Sequence, residues 1–372
     1  MNVKEKKVEL IELFYDLIYV YAISRLTMLI EEPKSGMIPL FGFFRYLVAS
    51  FVILQAWLYL TNYVNRYGRW KWYEYALTVV NMTATVYMSN TISEQWNDMS
   101  LTFNLSMLVM LICVESMYFI QLRLKEQDIG AAKNMFLILA VDCALYFAAF
   151  LASLLNAGYL VLWLDAAAVF VGAFLPFFIR GNFDISIISF PHLTERFELI
   201  TIITFGEAIV GMTEYFDVHH FSFKPIIVFA VLLGLFGSYV VQIHYLMEHK
   251  RTERALRLMF SHYFIVISLN LITVALNLIR IPETDRVFLA FMLSSAIIVF
   301  YISITANRKY YRQGVTFTKI DALKMCVPFL IGIPIVFIFR SNEYGVLTGV
   351  LLIAVSEFGI LVCKHVKQTV NS

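Results

Sequence analysis

The chain has 372 residues, 60% of them hydrophobic and 15% charged, a formal net charge of +2 and a mean hydropathy of +0.73. That composition excludes a water-soluble domain built around one core. It also excludes a nucleic-acid binder, since the basic residues sit in short segments with no basic-aromatic groove.

Apolar runs recur along the whole chain at 9–30, 39–61, 72–92, 100–122, 134–156, 158–180, 193–213, 222–247, 257–279, 285–306, 320–340 and 344–364. Each is about 20 residues long, enough to cross a bilayer as a helix. The short alternating segments of a β-barrel are absent. The expected fold class is therefore all-α, a polytopic membrane protein of about 12 transmembrane helices.

Lys and Arg set the expected orientation. One set of connections holds residues such as Lys4, Lys6, Lys7, Arg66, Arg69, Lys71, Lys250, Arg251, Arg254, Arg308, Lys309, Lys364 and Lys367, and the other only Lys34, Lys224, Arg280, Arg286 and Arg340. The split is about 21 against 5 and alternates with every span, so the positive-inside rule places both termini in the cytoplasm. The first apolar segment is studded with acids and has no small-residue cleavage site, which argues against a cleaved signal peptide.

No polar connection is long enough for a soluble domain. The polar interruption near the middle, Arg180 through Pro191, divides the chain into two six-helix halves, 1–181 and 192–372, joined by a cytoplasmic linker at 182–191. An even number of spans per half makes them parallel repeats about an axis along the membrane normal. Shifting the sequence by 182 sets Asp16 on Glu198 and Arg25 on Glu207; a shift of 183 instead sets Glu12 on Glu195.

The opening helix of each half carries charge into sequence that lipid should surround. Glu9, Glu12 and Asp16 are spaced by three and four, one stripe of a helix, and Arg25 lies beyond on another face. The seventh span carries Glu195, Arg196 and Glu198 at its mouth and Gly206-Glu207 further in. An ionised group near the bilayer centre costs about 2.5–3.5 kcal/mol on the insertion scale, so these side chains must find partners or a polar interior. A descending stripe of acids could bind a cation or relay protons; it could equally pair with bases on neighbouring helices and lock the packing. Gly206 could admit a neighbouring backbone or let the helix open beside Glu207.

Two stretches have a further pattern. Glu12-Leu13-Phe14-Tyr15-Asp16-Leu17-Ile18-Tyr19-Val20 and His192-Leu193-Thr194-Glu195-Arg196-Phe197-Glu198-Leu199, the latter followed by Gly206-Glu207-Ala208-Ile209-Val210, resemble the hallmarks of the bacterial low temperature requirement protein A (LtrA) family. A weaker match is the basic run from Arg254 into Ser261-His262-Tyr263. Glu198 departs from the pattern, which has a small or polar residue there. The resemblance implies an integral bacterial plasma-membrane protein linked to growth in the cold, with no settled substrate.

The other polar residues inside spans are Glu115, Asp142, Asp165, His244, His262, Asn270, Asn277 and Glu357, each explicable alone as an interhelical hydrogen bond. The histidines lack metal-site spacing, and Cys113, Cys143, Cys326 and Cys363 lack CxxC spacing and are expected to pack between helices. No cofactor motif and no catalytic constellation is visible. Trp57, Tyr59, Tyr63, Tyr67, Trp70, Trp72 and Tyr73 cluster around one cytoplasmic connection, as an interfacial aromatic belt does. The leading functional expectation is a secondary transporter or channel for an ion or small solute. Its candidate ion- or substrate-binding residues are Glu12, Asp16, Arg25, Glu195, Arg196, Glu198, Glu207 and His262. A membrane-embedded enzyme acting on lipid or an isoprenoid carrier, and a non-transporting sensor or partner, are the alternatives.

Overall fold

The structure, a computed structural model, describes residues 5–93, 96–125, 128–178, 185–216 and 221–371. Among these residues it is all-helical, without a β-strand. Its helices are α1 Leu10–Leu26, α2 Leu40–Tyr67, α3 Trp72–Asn90, α4 Trp96–Leu124, α5 Ile129–Leu154, α6 Gly158–Phe178, α7 Phe190–Gly211, α8 Lys224–Tyr239, α9 Leu256–Leu278, α10 Arg286–Ala306, α11 Lys319–Ile338 and α12 Glu343–Asn371. Each apolar segment read from the sequence is thus a helix. Helix is the form that satisfies every interior backbone N–H and C=O within one segment.

Among the described residues, 9 helices are long and apolar enough to cross a membrane, namely α2, α4, α5, α6, α8 with the turn after it, α9, α10, α11 and α12. The other three are α1, α3 and α7. In α1 the charges of Glu12, Asp16 and Arg25 interrupt a helix of 17 residues. In α7 Glu195, Arg196, Glu198 and Glu207 do the same.

Local signals fix several helix starts. Asp128 accepts the Ala131 N–H at 3.0 Å at the head of α5, and Asp285 accepts the Phe288 N–H at 2.7 Å at the head of α10. Thr318 and Asp321 form a reciprocal capping box at the start of α11. After α8 the chain loosens into a π-turn, Val240–Tyr245.

The chain divides into two compact units, the first made of 1–32, 39–200 and 250–255, the second of 33–38, 201–249 and 256–372. In the first, α1 packs on α2 and α3, α4 lies against α3 and α5, and α6 packs on α2 and α5. Tyr19 of α1 donates to Asn81 Oδ1 of α3 at 3.0 Å, and Asn81 Nδ2 donates to the Met110 carbonyl of α4 at 3.1 Å, so one buried amide ties three helices. In the second, α12 packs between α8 and α11, and α9 pairs with α10. A Cβ built on Gly332 or Gly349 would stand 2.8 Å from the other glycine's carbonyl oxygen, so α11 and α12 meet backbone to backbone.

The aromatic cluster is not a belt. Trp57, Tyr59, Tyr63 and Tyr67 are buried, and Trp72 alone of the group is fully on the surface at 81% exposure. The reason is that α2 runs through the interior of the first unit, and its rings turn polar ends onto acidic partners. Trp57 Nε1 donates to Asp16 Oδ1 at 2.7 Å, the Tyr59 hydroxyl to Asp142 Oδ2, and the Tyr63 hydroxyl to Glu74 Oε1 at 3.0 Å. Two of the cysteines, Cys326 and Cys363, also part from expectation. Cys113 is buried, Cys143 is half-buried and donates to Glu115 Oε2 at 3.3 Å, and Cys326 and Cys363 lie on the outer surface of their helices.

Candidate functional site

The charged residues of the two sequence motifs meet inside the first unit. Glu12 and Asp16, one turn apart on α1, face Arg196 in the second turn of α7. The Arg196 Nη1 donates to Glu12 Oε2 at 2.5 Å, Nη2 to Asp16 Oδ1 at 2.5 Å, and Nε to Asp16 Oδ2 at 2.9 Å. The two nitrogens facing Asp16 grip it side-on, which a guanidinium does and an ammonium cannot. Glu12 and Asp16 are 0% exposed and Arg196 1%.

Every carboxylate oxygen in the cluster has a donor. Glu12 Oε2 also faces His192 Nε2 at 2.9 Å, while Oε1 accepts from Trp70 Nε1 at 3.3 Å and from the Glu9 backbone N–H at 3.4 Å. Asp16 Oδ1 takes the Trp57 indole as well. Aromatic faces close the pocket, with the Arg196 guanidinium 5.7 Å from the Trp57 ring and 5.9 Å from the Tyr15 ring, and Phe197 edge-on to Trp57 at 5.0 Å. Lys6 also acts electrostatically on Glu12 and donates to the Gly68 carbonyl at 2.8 Å, so two acids face one buried cation and a second at the rim.

The histidine is held in one orientation. Asn65 Nδ2 donates to the Ser189 carbonyl at 2.8 Å and contacts His192 Nδ1 at 3.0 Å, while the Ser189 N–H donates to Asn65 Oδ1 at 3.2 Å. With Nδ1 as an acceptor, the imidazole proton sits on Nε2 and points at Glu12. A chain of contacts therefore runs from the Ser189 backbone through Asn65, His192, Glu12 and Arg196 to Asp16 and Trp57.

The family model for the bacterial low temperature requirement A protein (LtrA) matches residues 7–356, a range that holds both motifs joined in this cluster. The chain belongs to that family. With its apolar helices, membership makes this LtrA chain an integral membrane protein. No curated protein and no solved structure matches it.

The remaining candidates are placed as follows. Arg25, near the end of α1, is half-buried, and its Nε has no hydrogen-bond partner among the described residues. Asp16 draws its countercharge from Arg196, 180 positions away in sequence, and not from its own helix. Glu195 is exposed and Glu198 partly so. Glu207, partly exposed, belongs to the second unit. Gly206 is no close-approach position: a Cβ there would meet nothing within 4 Å. His262 is buried in the second unit, its Nδ1–H on the Leu258 carbonyl at 2.7 Å and its Nε2 facing the Tyr239 hydroxyl at 3.0 Å.

Reasoning from the sequence passed over His192, Asn65, Trp57 and Lys6. The signal for His192 was its place four residues before Arg196, on the same helical face. Trp57 and Asn65 carried no such mark, since apolar and amide residues inside a span read as packing. Among the described residues, no three of His, Cys, Asp and Glu converge as metal ligands.

Proposed function

We propose that this LtrA-family chain is a transport protein, a secondary transporter or channel for an ion or small solute. The observation that carries the reading is the buried Glu12–Arg196–Asp16 network. Replacing a buried ion pair by apolar residues of similar volume is often neutral or stabilising, so packing alone gives little reason to keep three ionic groups there. Ionisable groups enclosed by apolar helices are the parts that ion paths and moving elements use. Breaking and re-forming this network would let α1 shift against the start of α7.

In this reading about 12 helices span the bacterial plasma membrane with both termini in the cytoplasm, as the Lys and Arg bias supports. Residues 1–181 and 192–372 are parallel repeats joined by 182–191, each opened by its acid-bearing helix, α1 or α7. Arg25, Glu195, Glu198, Glu207 and His262 are its further candidate contacts for ion or substrate, and ion balance is its contribution to growth in the cold.

The test is flux in reconstituted liposomes, with proton, potassium and sodium gradients imposed in turn. Flux is expected in wild type and lost in Asp16→Asn and Glu12→Gln that remain folded. Wild-type liposomes no leakier than protein-free ones under all three gradients would overturn transport of, or driven by, these ions. The complete pairing of Glu12 and Asp16 favours a second reading, a non-transporting membrane sensor whose network is a latch. Absence of flux together with a loss of folded stability in Arg196→Met would select it.

A further inference from the structure

A second set of buried acids in the first unit is treated differently from Glu12 and Asp16. Asp142 lies at the middle of α5 and Asp165 on α6, both 0% exposed. Asp142 Oδ2 accepts the Tyr59 hydroxyl, which in turn accepts from Gln55 Nε2 at 2.8 Å. These three groups converge on Gly172 of α6, where a Cβ would lie 1.7 Å from Gln55 Nε2, 2.1 Å from the Tyr59 oxygen and 2.6 Å from Asp142 Oδ2. The glycine leaves the space that the polar groups fill.

Beyond that contact the partners run out. Asp142 Oδ1, both carboxylate oxygens of Asp165, Gln55 Oε1, Asn104 Oδ1 and the Tyr146 hydroxyl are all buried with no hydrogen-bond partner among the described residues. Tyr146, one turn after Asp142, interacts electrostatically with both Asp142 and Asp165, and the Asn104 side chain of α4 acts on Asp165 as a hydrogen-bonding neighbour, though without the geometry of a formed bond. The other titratable groups nearby are the Cys143 thiol and Glu115 of α4, which bond to each other. Among the described residues no Lys, Arg or His bonds to either aspartate.

Of the unpartnered atoms all are oxygens, and only the Tyr146 hydroxyl brings a hydrogen of its own. Two acids, two amide oxygens and a phenol with no base among them are short of positive charge. At Glu12 and Asp16 the chain supplies that charge as a guanidinium; here it supplies none. We propose that Asp142 and Asp165, enclosed by α2, α4, α5 and α6, are each a position that takes up monovalent positive charge, arriving as a proton or as an alkali cation. Among the described residues no three of His, Cys, Asp and Glu converge on either carboxylate as ligands, which suits a singly charged ion and not a divalent one. The site goes beyond the transport reading and does not need it, because binding is measured without flux.

The experiment uses the purified full-length protein in detergent. In one arm, thermal unfolding is followed as lithium, sodium or potassium chloride replaces choline chloride at constant ionic strength. In the other, infrared spectroscopy of aspartate-labelled protein reads the carbonyl stretch of protonated carboxyl groups. An alkali cation in the site gives saturable stabilisation in wild type, reduced at least tenfold in midpoint affinity in Asp142→Asn and Asp165→Asn and unchanged in Glu214→Gln. A proton gives instead a carboxylic-acid signal that each Asn variant lowers. If neither Asn variant can be isolated, Tyr59→Phe keeps both acids, removes the one hydroxyl on Asp142, and shifts the signal or the cation midpoint. Wild type showing neither cation dependence nor a carboxylic-acid signal overturns the proposal, as does an unshifted Tyr59→Phe. Flux can fail while this binding holds, and the reverse, so the two readings fall separately.

Discussion

Replacing Arg196 by Met tests the ionic cluster most directly. Methionine keeps much of the side-chain volume against Trp57, Tyr15 and Phe197 but removes three charge-assisted hydrogen bonds, those to Glu12 Oε2, Asp16 Oδ1 and Asp16 Oδ2. Both carboxylates stay fully buried, Asp16 keeping only the Trp57 indole and Glu12 its contacts with His192, Trp70 and the Glu9 N–H. Removing one side of a buried ion pair costs about 3–5 kcal/mol, more than the network is worth against apolar residues, because the penalty is that of the stranded charge. At about 2–4 °C per kcal/mol, the unfolding midpoint in detergent should fall by roughly 6–20 °C. Trp57 and Trp70 both bond to the cluster, so tryptophan fluorescence reports the loss where it occurs. The triple variant Arg196→Met, Glu12→Gln, Asp16→Asn should recover to within about 2 kcal/mol of wild type, since no unpaired charge is left. A single variant within about 1 kcal/mol of wild type, or a triple variant as unstable as the single one, would refute the assignment of Arg196 as countercharge.

Trp57→Phe retains the ring packed on Phe197 but deletes the bond to Asp16, and should cost about 1.5–3 kcal/mol in the same assay. Asn65→Leu removes both ends of the amide link to Ser189 and frees His192 Nδ1; a loss of about 1–3 kcal/mol is expected, with the His192 nitrogen resonances shifting in NMR. Gly172→Ala should destabilise by about 1–3 kcal/mol through overpacking of Gln55, Tyr59 and Asp142, whereas Gly206→Ala should be neutral or stabilising. Equal effects of the two alanines on thermal stability would contradict the packing described around Gly172.

The helices were legible in the chain because apolar runs of membrane length leave the backbone few ways to satisfy itself. The two charged motifs were legible for the complementary reason: ionic groups among Leu, Ile and Phe are too costly to be incidental. Which charge answers which could not be read in the same way. Arg25 of the same helix lies on another face from Asp16, whose partner is Arg196, carried on α7. The aromatic residues of α2 likewise had the composition of an interfacial belt. Only the position of α2 inside the first unit turned Trp57, Tyr59 and Tyr63 into donors for Asp16, Asp142 and Glu74.

Sequence alone thus determined that acids lie within apolar helices, because hydropathy and spacing are local properties. At that level Asp16 and Asp142 are both aspartates set in apolar runs. The tertiary structure decided that one is gripped by a guanidinium and the other meets a tyrosine and no base. Electrostatic compensation acts over a few ångströms of space, and sequence separation carries no measure of that distance.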